Sequence, residues 1–155
     1  MKLQIVAVGH KMPAWVDSAC SDYLKRFPAN YLVLNTVSPA GRKSGQTVQR
    51  IQAQEADSIH SRLKAGDYTI ALDEHGRQWS SNDWANQLRR WQLEGFRVNL
   101  LIGGADGLSP DLLASVDQKV ALGRMTLPHA LARVVLVEQL YRARSIVEGH
   151  PYHRE

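Results

Sequence analysis

The stretch Leu100-Leu-Ile-Gly-Gly-Ala-Asp-Gly-Leu-Ser-Pro110 decides how the chain is read. An apolar run over residues 98–102 stops at two adjacent glycines, Gly107 follows three residues on, and Ser109-Pro110 opens a helix. That pattern is a buried strand passing into a tight loop at the carboxyl edge of a sheet. Ligands of open α/β sheets bind at such edges, because the loops leave a crevice between neighbouring strands. Glycines there permit positive φ and let a ligand approach the backbone. A plain strand-to-helix turn has the same appearance. Two phosphate readings fail on the residues. A Gly-x-Gly-x-x-Gly fingerprint lacks its first glycine, because Ile102 stands two before Gly104, and a Walker loop needs Lys-Ser or Lys-Thr where Leu108-Ser109 stand. What survives is a pocket for a ligand that wants close backbone contact without many phosphate charges.

Outward from this stretch, apolar runs predict further strands over residues 3–8, 31–37, 67–72 and 119–122, the third ending in a turn at Asp73-Glu74-His75-Gly76. Three-and-four spacing predicts helices over residues 15–27, 48–63, 110–116 and 129–149. Ser80 and Asp83 form a capping pair for another helix, which reaches Glu94 and stops at Gly95. Cys20 sits inside the first apolar stripe and reads as core. Strands alternating with helices imply an α/β fold: a mostly parallel sheet with helices on both faces, as a single domain over residues 1–155. The segment Leu122-Gly-Arg-Met-Thr-Leu-Pro128 repeats the glycine-loop idea at a neighbouring strand end. Two such loops can form opposite lips of one pocket.

The 155 residues are 44% hydrophobic and 22% charged, ordinary for a soluble globular domain, and the net charge is +4. That mild basic bias fits nucleic acid as a partner without establishing it. One cysteine excludes a disulfide framework and suits a reducing compartment. No signal-peptide pattern and no run of about 18 apolar residues is present, so the expectation is a cytoplasmic protein with no membrane partner.

Several groups invite a chemical reading. Residues 38–54 carry Arg42, Lys43 and Arg50 and no acid, which reads as a solvated loop or as an arm that meets phosphate. The last helix is apolar nearly all round, so it is buried on more than one side, and a subunit interface is a natural second side. Glu138 and Arg142 lie four apart on it, as a structural ion pair or with Arg142 as a cation for substrate. His150 and His153 have no accompanying Cys or acidic cluster at ligand spacing, so a metal is not expected. Tyr152, His153 and Arg154 form an aromatic-plus-cation tail able to stack on a base and hold a phosphate, unless the terminus is simply disordered.

Taken together, Leu100-Leu-Ile-Gly-Gly-x-x-Gly, Thr126-Leu-Pro-His129, Arg133, Glu138-Gln-Leu-Tyr-Arg-Ala143 and His150-Pro-Tyr-His-Arg154 resemble the ribosomal RNA large subunit methyltransferase H family of the SPOUT class. Lys2-Leu-Gln-Ile-Val-Ala-Val-Gly9 and Leu72-Asp73 fit as well, so the resemblance spans essentially the whole chain. It implies a SPOUT-type α/β fold with a C-terminal trefoil knot. It also implies a homodimer that transfers methyl from S-adenosylmethionine, without metal, to N3 of a pseudouridine in helix 69 of 23S rRNA within the assembled ribosome. By that match the donor pocket falls on Leu72, Gly103, Gly104, Gly123, Arg124, Met125, Thr126, Leu127 and Pro128. Relatives often carry serine where this chain has Gly123-Arg124, and backbone contacts there would preserve donor binding.

The reaction so implied assigns tasks to side chains. A deprotonated imide spreads charge over two carbonyl oxygens, and a nearby cation stabilises that anion more than the neutral base. Arg142 is the candidate cation, with Glu138 orienting it. His129 and His153 are candidate proton acceptors, because neutral imidazole is available near pH 7. Tyr152 would stack on the target base, and Arg154, Arg42 and Lys43 would meet RNA phosphate. Two alternatives stand beside this reading: a non-catalytic ribosome-associated factor that keeps the fold, and a small-molecule enzyme of ordinary doubly wound topology.

Overall fold

A computed structural model of the chain describes residues 1–41 and 45–154. The elements alternate: β1 (Lys2–Val8), α1 (Ala14–Leu24), β2 (Leu32–Val37), α2 (Val48–His60), β3 (Tyr68–Gln78), α3 (Ser81–Glu94), β4 (Arg97–Ile102), α4 (Pro110–Ser115), β5 (Gln118–Ala121) and α5 (His129–Glu148), followed by a 3-10 turn over Pro151–Arg154. The five strands form one sheet in the order β2-β1-β4-β3-β5, and every pairing is parallel.

Side chains of a strand alternate between the two faces of a sheet, and here both faces are apolar. Leu3, Ile5, Ala7, Val98, Leu100 and Ile102 face the larger core under α1, α3 and α5, where Trp84, Trp91, Leu136 and Leu140 are also buried. Val6, Val8, Val37, Ala71 and Leu101 face a smaller core with Ala56 and Ile59 of α2 and Leu112 of α4. This is why the strands read as continuous apolar runs. Cys20 is buried in the larger core. Among the described residues, no helix is long and apolar enough to cross a membrane.

Ends of elements follow local chemistry. The Ser80 hydroxyl accepts from the Asp83 amide at 3.1 Å while the Asp83 carboxylate accepts from the Ser80 amide at 2.8 Å, a reciprocal cap that fixes the start of α3. Two expected helices stop early. α1 ends at Leu24 rather than continuing to residue 27, because the Arg26 and Phe27 amides tighten onto the Tyr23 and Leu24 carbonyls. α2 ends at His60 in the same manner, with the Arg62 amide on the Ile59 carbonyl.

The larger correction concerns β3. The expected turn at residues 73–76 is not the end of a strand; β3 runs on to Gln78. Leu72 and Arg77 both pair with Val120, so the residues between them bulge out of the ladder. Gly76 makes this possible. A Cβ there would lie 2.5 Å from the backbone carbon of Lys119 and the nitrogen of Val120, so the two main chains touch directly.

One buried polar row crosses the smaller-core face. Asn35 donates to the Gln4 carbonyl oxygen at 2.7 Å, Gln4 donates to Asn99 Oδ1 at 2.9 Å, and Asn99 donates to Asp67 at 2.8 Å. Asn99 is fully buried, so Asn99→Ala strips partners from Gln4 and Asp67 together. We expect a loss of about 2–3 kcal/mol of folding stability, read as a lower urea midpoint.

Candidate functional site

The carboxyl ends of β3, β4 and β5 open into a cleft of 610 Å³, within the range that holds a drug-sized ligand. The loop after β4 forms one lip from Gly103 to Leu108, and the loop after β5 forms the other from Leu122 to Pro128. The β3 bulge adds Leu72, Asp73 and Glu74, and the first turn of α5 adds His129 and Ala132. Met125 projects openly at the rim. Three acidic residues, Asp73, Glu74 and Asp106, are among those lining the cleft, and no Lys or Arg is among the described lining residues. That balance disfavours phosphate and suits a ligand carrying positive charge.

The glycine lip owes its shape to backbone contact. A Cβ on Gly103 would fall 2.7 Å from the Gly107 carbonyl carbon and 2.8 Å from the Leu108 nitrogen. The Gly107 amide donates to the Gly104 carbonyl at 3.0 Å, and Gly107 adopts φ +75°. From behind, α2 supports the lip: Gln52 donates to the Asp106 carbonyl at 2.7 Å, and the buried Glu55 carboxylate packs against the Cα of Gly104 while accepting from the Ala40 amide at 3.0 Å. On the other lip, Gly123 has φ +149°, a conformation open chiefly to glycine.

His129 stands where the cleft meets α5. Arg133, one turn later and buried, directs Nη2 to His129 Nε2 at 2.9 Å and to the Gly9 carbonyl at 3.2 Å. Burial first, and then the Arg133 charge, push the imidazole below its ordinary value, while a hydrogen bond with the Gly103 backbone opposes them. His129 is therefore neutral near pH 7.

A second cluster sits farther along α5. Arg142 donates through Nε and Nη2 to one oxygen of Glu138, at 2.9 and 2.7 Å. Tyr152 donates to that same oxygen at 3.0 Å and shares a 2.9 Å hydrogen bond with Tyr23. The Tyr152 ring meets Tyr141 edge-on, with centroids 4.7 Å apart, and Arg142 lies 5.0 Å from its centroid. Burial, then the bonds with Tyr23 and Glu138, raise the Tyr152 phenol far above its ordinary value, so it stays a neutral donor. Nδ1 of His153 is buried without a hydrogen-bond partner among the described residues.

The sequence profile described as "Predicted SPOUT methyltransferase" matches residues 1–153. The chain belongs to the SPOUT methyltransferase family. It is 49% identical to the ribosomal RNA large subunit methyltransferase H of Methylibium petroleiphilum, over 100% of both chains. The protein of that name from Paraburkholderia phymatum is 46% identical over 99% of each. Solved structures share the fold at low identity. A probable methylase family protein from Haemophilus influenzae gives a TM-score of 0.62 at 12% identity, covering 97% of this chain and 69% of that one. A probable methyltransferase from Bordetella pertussis gives 0.58 at 16%, covering 92% and 95%.

For a SPOUT methyltransferase the distribution of the candidate residues is informative. Of the nine positions expected to hold the donor, Leu72, Gly103, Gly104, Gly123, Met125, Thr126, Leu127 and Pro128 all line the one cleft, and Arg124 does not. Arg124 is exposed, so the Gly123-Arg124 departure places no arginine side chain among the lining residues. His129 joins the cleft, whereas Glu138, Arg142, Tyr152 and His153 are outside its lining. The tail is not disordered: it forms the 3-10 turn, with Arg154 exposed at its end. Arg42 and Lys43 lie outside the described residues. Sequence reasoning did not single out Asp73, Glu74, Asp106 or Tyr23 as site residues, and it quoted Arg133 only as part of a motif. The four-residue spacing from His129 to Arg133 was the available signal. Among the described residues no group of three or more His, Cys, Asp or Glu side chains gathers as metal ligands.

Proposed function

We propose that the chain transfers a methyl group from S-adenosylmethionine to N3 of a pseudouridine in helix 69 of 23S rRNA, working as a homodimer on the assembled ribosome in the cytoplasm. The observation that carries this reading is the two-lipped glycine cleft, with acidic and no basic residues among its described lining, in a chain nearly half identical, end to end, to enzymes named ribosomal RNA large subunit methyltransferase H. A sulfonium donor is cationic and carries an already activated methyl, so its binding asks for carboxylates and close backbone rather than a metal. The cleft provides the first two.

The homodimer is supported by geometry along α5. Glu138 and Arg142 lie nine and thirteen residues beyond His129, about 14 and 20 Å up the axis and turned roughly 180° and 220° around it. One chain therefore does not bring Arg142 to its own cleft, and a second copy laid against α5 can. Leu131, Val134 and Val135 of α5 are only half-buried by α1 and α3 and suit such a contact. In the composite site, Arg142 held by Glu138 faces the imide oxygens as the N3 proton leaves, and His153 is the candidate acceptor, through Nε2 because its Nδ1 is buried. Tyr152 and Arg154 then orient base and phosphate, with Arg42 and Lys43 as further candidates to meet phosphate. The trefoil knot belongs to the same proposal: the chain after Gly107 threads back to build the second lip.

The test is incubation with labelled S-adenosylmethionine and ribosomes lacking the modification, followed by mapping of the modified nucleotide. Label confined to one pseudouridine of the large-subunit rRNA, and absent from a free hairpin, is the expected result. Binding of the donor with no transfer to ribosomes would leave the non-catalytic factor as the better account.

A further inference from the structure

We propose that Arg133 and His129 act together as a positioning clamp of the cleft, in which His129 is held as the neutral Nδ1–H tautomer, anchors the glycine lip, and is not the acceptor of the substrate proton. This rests on the reading of the cleft as the methyl-donor site.

The argument begins with Arg133. Among the described residues it is the buried basic side chain, and no carboxylate stands within ion-pair distance of it, Asp17 acting on its charge only from farther off. Burying a guanidinium without a carboxylate is costly, so such a group is retained only where its position is needed. Its Nη2 joins two separate segments, Gly9 just after β1 and His129 at the start of α5. A guanidinium has donors and no acceptor. The 2.9 Å contact therefore requires a bare lone pair on His129 Nε2, and the ring proton must sit on Nδ1.

The other ring nitrogen has its own partner. The Gly103 backbone acts on the ring in the sense that favours its protonated form, as a carbonyl facing Nδ1–H does. Both nitrogens are thereby engaged, one facing a fixed cation and one facing the lip. To take a proton at Nε2, His129 would have to set N–H against N–H and charge against like charge, at the positive N-terminus of α5. A base so placed does not serve a substrate. What the arrangement does serve is position. β1, α5 and the residue after β4 are tied through one ring, and Gly103 is where a Cβ has no room.

Two measurements on the full-length protein decide this. The first is 15N NMR of histidine-labelled protein, with the His129 resonances assigned by their loss in His129→Gln. A neutral ring with Nε2 unprotonated at pH 7 supports the clamp; an Nε2–H tautomer or an imidazolium overturns it, whatever the cleft binds. The second measures S-adenosylmethionine affinity and steady-state methylation for the parent, His129→Ala, His129→Asn and Arg133→Lys. Loss of one ring hydrogen bond should raise the donor KM of His129→Ala about tenfold with kcat at saturating donor changed less than about threefold. His129→Asn, which keeps a donor near the Nδ1 position, should recover most of that affinity. Arg133→Lys, which keeps one donor, should fall between them if His129→Ala is too unstable to measure. A proton acceptor behaves differently: kcat at saturating donor would fall on the order of 10²–10⁴-fold in both His129 variants, and that result overturns the proposal. If the parent itself fails to bind S-adenosylmethionine, the donor reading fails, while the tautomer still decides the clamp.

Discussion

Gly103→Ala is expected to abolish S-adenosylmethionine binding at concentrations that saturate the parent, and to lower the urea midpoint as well. The added carbon would lie 2.7 and 2.8 Å from main-chain atoms of Gly107 and Leu108. Neither is the tip of a flexible side chain that can rotate away. The lip can admit the methyl only by breaking the Gly104–Gly107 bridge or by shifting β4 against its neighbours. Forced overpacking of this kind costs about 1–3 kcal/mol and sometimes more, and here the displacement falls on the wall of the cleft proposed to hold the donor. Gly107→Ala is the control. Its Cβ would meet open space, and only the φ of +75° opposes it, a strain of order 1–2 kcal/mol. Calorimetric titration of both variants checks the ranking: equal donor affinity in the two would show that the crossing at Gly103 does not shape the cleft.

Arg142→Ala is the second large effect, and it should separate chemistry from donor binding. Removing one preorganised cation from a developing oxyanion typically costs 10²–10³-fold in rate. Single-turnover methylation of ribosomes should fall by about that factor, while donor affinity stays at the parent value because Arg142 does not line the cleft. Folding should be little affected. The Arg142–Glu138 pair is partly exposed, and Glu138 keeps bonds from Gln139 and Tyr152. Mixing makes the test sharper. In a heterodimer of Arg142→Ala with Gly103→Ala, one of two composite sites has an intact cleft and an intact Arg142. Recovery of roughly half the parental activity is the expected outcome of sites shared between subunits, and no recovery would mean that each chain completes its own site.

The strands and the two glycine lips were legible because both rest on composition that repeats locally: apolar runs ended by glycine, then a Ser-Pro or Leu-Pro start to the next helix. The reason for the glycines was not legible. Gly103 reads as a residue needing positive φ, yet what excludes a side chain there is contact with the Gly107 and Leu108 backbones. The Asp73–Gly76 segment likewise has turn composition, and only pairing with Val120, far away in sequence, keeps it within a strand. Arg133 illustrates a third limit. Spacing shows that it can reach His129, but burial, the Gly9 carbonyl and the absence of a paired carboxylate are tertiary facts. The separation of Arg142 from the cleft, by contrast, was computable from residue number and helix pitch alone.

The strand order carries a consequence for the life history of the chain. β1 is an inner strand, second in the sheet, and its partner on the side away from β2 is β4, with Lys2 opposite Arg97 and Ala7 opposite Ile102. During synthesis β1 can find β2 early, but its second neighbour is made some ninety residues later, and the cleft awaits the first turn of α5 after that. Pairings between such distant segments form slowly, and the unpaired edges they leave behind are exposed until they close. Completion of the cleft thus belongs to the period after α5 has begun to emerge. A cleft closed by residues this far apart in the chain becomes competent only after the last helix has begun to form.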